Sequence, residues 1–274
     1  MSTLTFTQIP IDVRVPGVYA EIDNSKAFQG LAGMPTKVLV IGQKTSAGTA
    51  APLVPVLITN TAQAKAFFGR GSLLANMLER FKDANSLIEC WAIAQVDDNA
   101  AVAAAGSVSF VGPASASGTL NFYVAGRRIR AKVTAGNTAS QIAAALAAAI
   151  NANLDLPVTA AVDGEDTFVV NITARNEGEC GNLIDLRFNY NADETTPAGV
   201  VPTITPMTGG SANPDVADVF TAIGDEWYTD FVMPYTDSAN VTEMTDELTS
   251  RWDAMRMIDG VCWMSENKTH AALI

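Results

Sequence analysis

The sequence predicts an α/β core domain, incomplete at its C-terminus, interrupted by an inserted α+β, strand-rich module and preceded by an extended N-terminal arm. Three observations carry this. Two nearly continuous apolar runs, residues 37–42 and 87–96, bracket helical patterns, and strand, helix, strand in that order implies a parallel layer covered on both faces. Between residues 103 and 208 the texture changes to short alternating strands separated by Gly, Ser and Asn, with one alanine-rich helix among them. After Gly209-Gly210 the α/β texture returns. The economical division is an arm and linker over 1–35, a discontinuous core over 36–102 and 209–274, and an inserted module over 103–208.

The arm comes first. In Ile9-Pro10-Ile11-Asp12-Val13-Arg14-Val15-Pro16, apolar side chains hold every odd position, which is the period of a strand. Pro10 and Pro16 cannot donate ladder hydrogen bonds, so this strand must lie at an edge or add itself to another sheet. The alternation continues through Val18 and Tyr19 and stops at Asn24-Ser25. Residues 37–42 then read as a central strand. Residues 61–68 read as a short helix stopped by Gly69, and Ser72 as the cap of a second helix carrying Leu73, Leu74, Met77, Leu78 and Phe81 on one face.

In the inserted module, strands are predicted at 107–111, 119–124 and 128–133, the last two joined by a turn at Ala125-Gly126. Thr138 with Gln141 fits a capping box, opening a helix that turns Ile142, Leu146 and Ile150 inward. Strands follow at 158–162, 168–173 and 184–188, with Asp163-Gly164 as a hairpin signal. Downstream, Asn213 is expected as N-cap and Pro214 as first residue of a helix stopped by Gly224. A strand over 227–234 precedes a helix opened by Asn240 and Glu243. Its Val241, Met244, Leu248, Trp252 and Met255 form the apolar stripe, with Glu247 and Arg251 paired outside. Residues 260–265 form a last strand. Thr269 begins a single turn, too short to be stable alone, which predicts that the polypeptide is a piece of a longer one.

Charge and chemistry narrow the function. The chain carries 29 acidic and 17 basic residues, a net charge of −12, which repels phosphate backbones and excludes nucleic acid as a direct ligand. The start has no basic region followed by an apolar one, so synthesis in a cytoplasm is expected. The alanine-rich stretch 139–150 is well short of the ~20 residues needed to cross a bilayer, so membrane insertion is not expected. The sole histidine is His270, and Cys90, Cys180 and Cys262 are scattered without a CxxC pair. That supplies neither a nucleophile–base couple nor a zinc set, and free thiols are expected. Gly69-Arg70-Gly71 follows a helix and lacks a phosphate-loop sequel. Asp163-Gly164-Glu165-Asp166 lacks a calcium loop's distal Glu. No catalytic, cofactor or metal residue is assigned. Asp97-Asp98, at a strand end, supports the competing reading of a hydrolase-like enzyme. Arg127, Arg128 and Arg130 form the densest positive charge, either a solvated strand or a contact with an acidic patch on a neighbouring copy.

Three stretches, residues 9–25 with 37–43, residues 136–151, and 233–237 with 251–253, resemble contractile tail sheath proteins of Mu-like bacteriophages over essentially the whole chain. The resemblance implies a non-enzymatic subunit with a subtilisin-like core. Such subunits form hexameric rings stacked around a tail tube and contract to drive that tube through the host envelope during genome delivery. It implies tail tube, baseplate and tail terminator proteins as partners, no cofactor, and a place in the virion tail after assembly in the host cytoplasm. A headless contractile particle shares the same physics. It also implies strand exchange between subunits, for which Ile9, Ile11, Val13, Val15, Val18 and Tyr19 supply the arm.

Overall fold

The computed structural model describes residues 16–18, 20 and 36–266. The chain divides into two units, Met1–Pro35 and Thr36–Ile274, and the architecture below belongs to the second. The terminal turn expected at 269–274 lies outside the described residues.

The first half of the core contains β1 (Lys37–Gln43), β2 (Val56–Ile58), α1 (Thr61–Phe68), α2 (Leu73–Ala84) and β3 (Glu89–Gln95). The middle of the chain contributes β4 (Ala105–Val111), β5 (Gly118–Val124), β6 (Arg127–Val133), α3 (Ala139–Ala152), β7 (Val158–Val162) and β8 (Val169–Ala174). A 3-10 helix (Glu179–Leu183), β9 (Leu186–Phe188) and β10 (Val201–Thr208) follow. The last described stretch holds α4 (Ala217–Ile223), β11 (Asp230–Val232), α5 (Ser238–Trp252) and β12 (Val261–Trp263).

A five-stranded sheet runs in the order β12-β11-β1-β3-β2. Its first four strands are mutually parallel, and β2 is an antiparallel edge. β1 is central and buried from Val38 onward, as a continuous apolar run requires when both faces are covered. On one face Val38, Val40, Ala92 and Ala94 pack on Ala64, Phe68, Leu74 and Leu78 of α1 and α2. On the other, Leu39, Ile41 and Ile93 meet Val219, Ile223 and Met244 of α4 and α5. Each such buried Leu or Ile side chain contributes roughly 1.5–3 kcal/mol. The chain leaves β1 to one side to build β3 and to the other to build β11 and β12. The order therefore reverses between β1 and β11, the crevice where open α/β sheets usually bind ligands.

Residues 105–208 build two further sheets, β10-β4-β8-β7 and β6-β5-β9, both antiparallel. They share one core with α3, whose Ile142, Leu146 and Ile150 are buried with Ala143 and Ala147 between them. The Thr138–Gln141 capping box is formed in full. β10 carries Pro202 and Pro206, lies at a sheet edge and has an irregular register between Thr205 and Thr208. Those prolines hide it from a reading by strand propensity.

The second half of the core departs from expectation. α4 begins at Ala217, and the Val216 N–H donates to the Asn240 side chain, so neither Asn213 nor Pro214 opens it. Asp237, not Asn240, caps α5 by accepting from the Asn240 backbone N–H at 3.0 Å. A carboxylate accepts this bond more strongly than an amide, which leaves both asparagines for tertiary contacts. The strand expected at 227–234 shortens to Asp230–Val232. The apolar stripe also breaks at its end: Trp252 is 73% and Met255 91% exposed, while Arg251 is fully buried. The arginine takes the inward position because the turn after α4 presents bare carbonyl oxygens, which it binds.

Candidate assembly interface

The crevice at the carboxyl ends of β1 and β11 is occupied by the chain's own 3-10 helix. Gln43, the last residue of β1, donates from Nε2 to Asp97 Oδ1 at 2.7 Å and to the Glu177 carbonyl at 2.6 Å. Asn176 donates from Nδ2 to the Lys44 carbonyl and to Asp97 Oδ1, both at 3.0 Å, while its Oδ1 accepts from the Leu73 N–H at 2.9 Å. Cys180 of the 3-10 helix donates to the Pro234 carbonyl just beyond β11 at 3.5 Å. What remains is a cavity of about 200 Å³ lined by Gln43, Leu73, Asn176, Cys180, Gly181 and Leu183 among others. Of the two candidate acids of the enzyme reading, Asp97 is thus one end of a structural latch, while Asp98 accepts from the Ala100 N–H at 2.7 Å and lines a separate cleft of about 280 Å³ with Asp215 and Asp218. Burial pushes the Cys180 thiol up to about 12, far from the thiolate range a nucleophile needs.

Beside this latch an ionic network ties α1, α2 and the turn between them to Arg127 of β6 and Asp155 after α3. Asp155 accepts from Arg70 Nε at 2.7 Å and Nη2 at 3.1 Å, and from Lys65 Nζ at 3.2 Å. Lys65 also donates to Glu79 at 2.8 Å, and Arg127 donates to Glu79 and to Asn76 Oδ1. The Arg70 fork, with Lys65, holds the Asp155 carboxyl down to about 2 against the cost of its burial. Burial raises Glu79, but the bonds from Lys65 and Arg127 outweigh it and leave that carboxyl below its usual value. Gly71 lies in the same seam at φ 79°, and a Cβ there would strike the carbonyl oxygens of Leu154 and Leu156. Gly69 and Gly71 serve close approach and helix punctuation, not phosphate binding.

The candidate assembly residues fall out as follows. Ile9, Ile11, Val13, Val15 and Tyr19 lie outside the described residues, and Val18 is fully exposed. Arg127 is turned inward onto Glu79. Arg128 is half-exposed and pairs with Glu194 at 3.0 Å, while Arg130 is exposed with no ion pair among the described residues. Sequence reasoning missed the latch residues Gln43 and Asn176 and the anchor Asp155. Their partners stand as much as 134 residues away, so no local pattern announces them. Among the described residues, no group of three or more His, Cys, Asp or Glu could hold a metal ion.

The crevice between β1 and β11 is thus packed by residues 176–183 of the same chain, and the arrangement there is one of structural hydrogen bonds. No protein-family model matches the chain. A Mu-like prophage tail sheath protein of Haemophilus influenzae is 39% identical over 269 residues, covering 98% of this chain and 55% of that protein. The chain is thus similar to a Mu-like tail sheath protein over nearly its own whole length, and it spans about half the length of that relative. Sheath tail proteins of Listeria innocua and Desulfitobacterium hafniense align at 13% and 11% identity with TM-scores of 0.32 and 0.35. They cover 84% and 90% of this chain and 48% and 52% of their own. Scores this low leave the likeness resting on the sequence relative.

Proposed function

We propose that the chain is a structural subunit of a contractile phage tail sheath, and the observation that carries this is its 39% identity to a tail sheath protein over nearly its whole length. In this reading copies assemble as stacked hexameric rings around a tail tube, bounded by baseplate and tail terminator proteins. Contraction drives the tube through the host envelope during genome delivery. The subunit is made in the host cytoplasm and resides in the virion tail.

Residues 1–35 act as arm and linker, 36–102 with 209–274 as a subtilisin-like core, and 103–208 as the inserted module. Ile9, Ile11, Val13, Val15, Val18 and Tyr19 add as a strand to a sheet of a neighbouring copy, where backbone pairing supplies affinity and alternate side chains supply register. The Gly-, Ser- and Asn-containing stretch from Asn24 to Pro35 keeps subunits linked while the cores move as rigid bodies between two packings. The latch and ionic network support this, since they make core and insertion one stiff unit.

Deleting residues 1–16 from a sheath-length version tests the reading. The expected result is a folded core by circular dichroism and no sleeves by negative-stain electron microscopy. Normal sleeves from the deletion would contradict the role of the arm.

A further inference from the structure

The net charge is distributed very unevenly. Residues 209–266 hold twelve acidic side chains and only two basic ones, Arg251 and Arg256. Both arginines are already committed to Glu247, and Arg256 to Asp225 as well. On α5 the exposed face carries Glu243 and Asp246, three residues apart and therefore neighbours on the helix surface. Neither has a hydrogen-bond or ion-pair partner among the described residues. Thr242, Thr245 and Thr249 flank them and turn their hydroxyls back to the carbonyls of their own helix.

The opposite charge stands on β6, an edge strand of the three-stranded sheet. Ile129, Ala131 and Val133 point into the core, so Arg128, Arg130 and Lys132 share the outer face with Thr119, Asn121 and Tyr123 of β5 across from them. Arg128 is neutralised by Glu194, and Arg187 on the next strand by Asp185. The cleft beside Arg130 also holds Asp193. Arg130 and Lys132 are left as exposed cations with no ion pair among the described residues, two positions apart and on one face. That spacing is about 7 Å along a strand, against about 5–6 Å between neighbours on a helix surface. Arginine and lysine stems span the difference.

We propose that the outer face of β6, through Arg130 and Lys132, docks on the exposed face of α5, through Glu243 and Asp246, of a second copy of this chain. The inference rests on the sheath reading and adds the contact through which copies find their register. Neither pair of charges is matched among the described residues, and the chain's acidic excess is concentrated in residues 209–266, so a second copy meets this basic face with its α5 region. Because the two patches differ, the contact is heterologous. It repeats head to tail, giving a ring if the rotation closes and a helix if it does not. Exposed charge pairs of this kind steer and align encounters more than they hold them.

The test is sedimentation velocity of the full chain at about 20 mM and 200 mM salt, an interval over which exposed pairs are progressively screened. Four samples are compared: the wild type, Arg130→Glu/Lys132→Glu, Glu243→Lys/Asp246→Lys, and an equimolar mixture of the two variants. The expected result is self-association of the wild type that weakens about tenfold or more at the higher salt. Each variant should lose it alone, and the mixture should regain it. Circular dichroism confirms that both surface variants fold. Wild type without salt-sensitive association, or a mixture that fails to recover it, overturns the inference. So does self-association of the Arg130→Glu/Lys132→Glu variant at the wild-type level, which would assign the β6 face to another partner. The sheath reading survives each of these results, because deleting the arm tests it separately.

Discussion

Arg251 lies fully buried with its guanidinium over the ring of Phe231, 5.4 Å from the centroid. From there Nε donates to Glu247 at 2.7 Å, Nη1 to the Glu226 carbonyl at 2.9 Å and Nη2 to the Gly224 carbonyl at 2.6 Å. One side chain thus joins α5, the turn after α4 and β11. Planar, weakly hydrated and forked, a guanidinium can do this where an ammonium cannot.

Replacing Arg251 with Met should therefore cost about 3 kcal/mol, because it leaves two carbonyl oxygens and a carboxylate without their donor. Arg251→Lys should recover only part of the loss. Urea unfolding followed by circular dichroism reads both, and a loss below about 1 kcal/mol would show the arginine to be dispensable.

Acid should loosen the seam that joins α1 and α2 to Arg127 and Asp155. The Asp155 carboxyl sits at about 2 in the folded protein, below the ordinary carboxylate value of about 3.9. Its contribution is therefore complete above about pH 4 and is lost as pH falls through about 2. Asp155→Asn should lower stability at neutral pH by about 1–2 kcal/mol and flatten the acid limb between pH 4 and 2. Melting temperature against pH is the readout, and an unchanged acid limb would contradict the assignment.

Removing Asn176 should undo the latch. Asn176→Ala leaves the Leu73 N–H, at the start of α2, and the Lys44 carbonyl without partners, at a cost of about 2 kcal/mol. Limited proteolysis should then cut near residues 174–184 sooner than in the wild type, and an unchanged cleavage pattern would argue that the junction holds without it.

The thiols should be inert while the protein is folded. Burial lifts Cys90 and Cys262 to about 11 and Cys180 to about 12, so the thiolate is scarce at pH 8. A colorimetric thiol reagent should react slowly with native protein and titrate three thiols once guanidinium is added. Fast reaction of the native form would show an exposed cysteine.

The local grammar of the chain was readable because single residues decide it. Thr138 and Gln141 stand at capping-box spacing and form the box, Gly69 stops α1, Ser72 caps α2, and Asp163 accepts from the backbone of Glu165 and Asp166 in its hairpin. The central position of β1 followed from its unbroken apolar run. Where two residues compete for one role, pattern failed: Asp237 and Asn240 both fit a helix cap, and only the packing of α4 on α5 decides between them. Arg251 reads as a surface partner of Glu247 at i, i+4 until the carbonyl oxygens of a distant turn demand a buried donor. The junction was illegible for the same reason, since Gln43, Asp155 and Asn176 acquire meaning only from partners brought in by the fold.

The most direct test of the sheath assignment is immunogold labelling of intact particles from the source phage or prophage, using antibodies raised against residues 103–208. The expected result is gold along the whole tail, with the labelled length shortening and widening in contracted particles. Label confined to the head, the tail tip or the free protein, with bare tails, would contradict it.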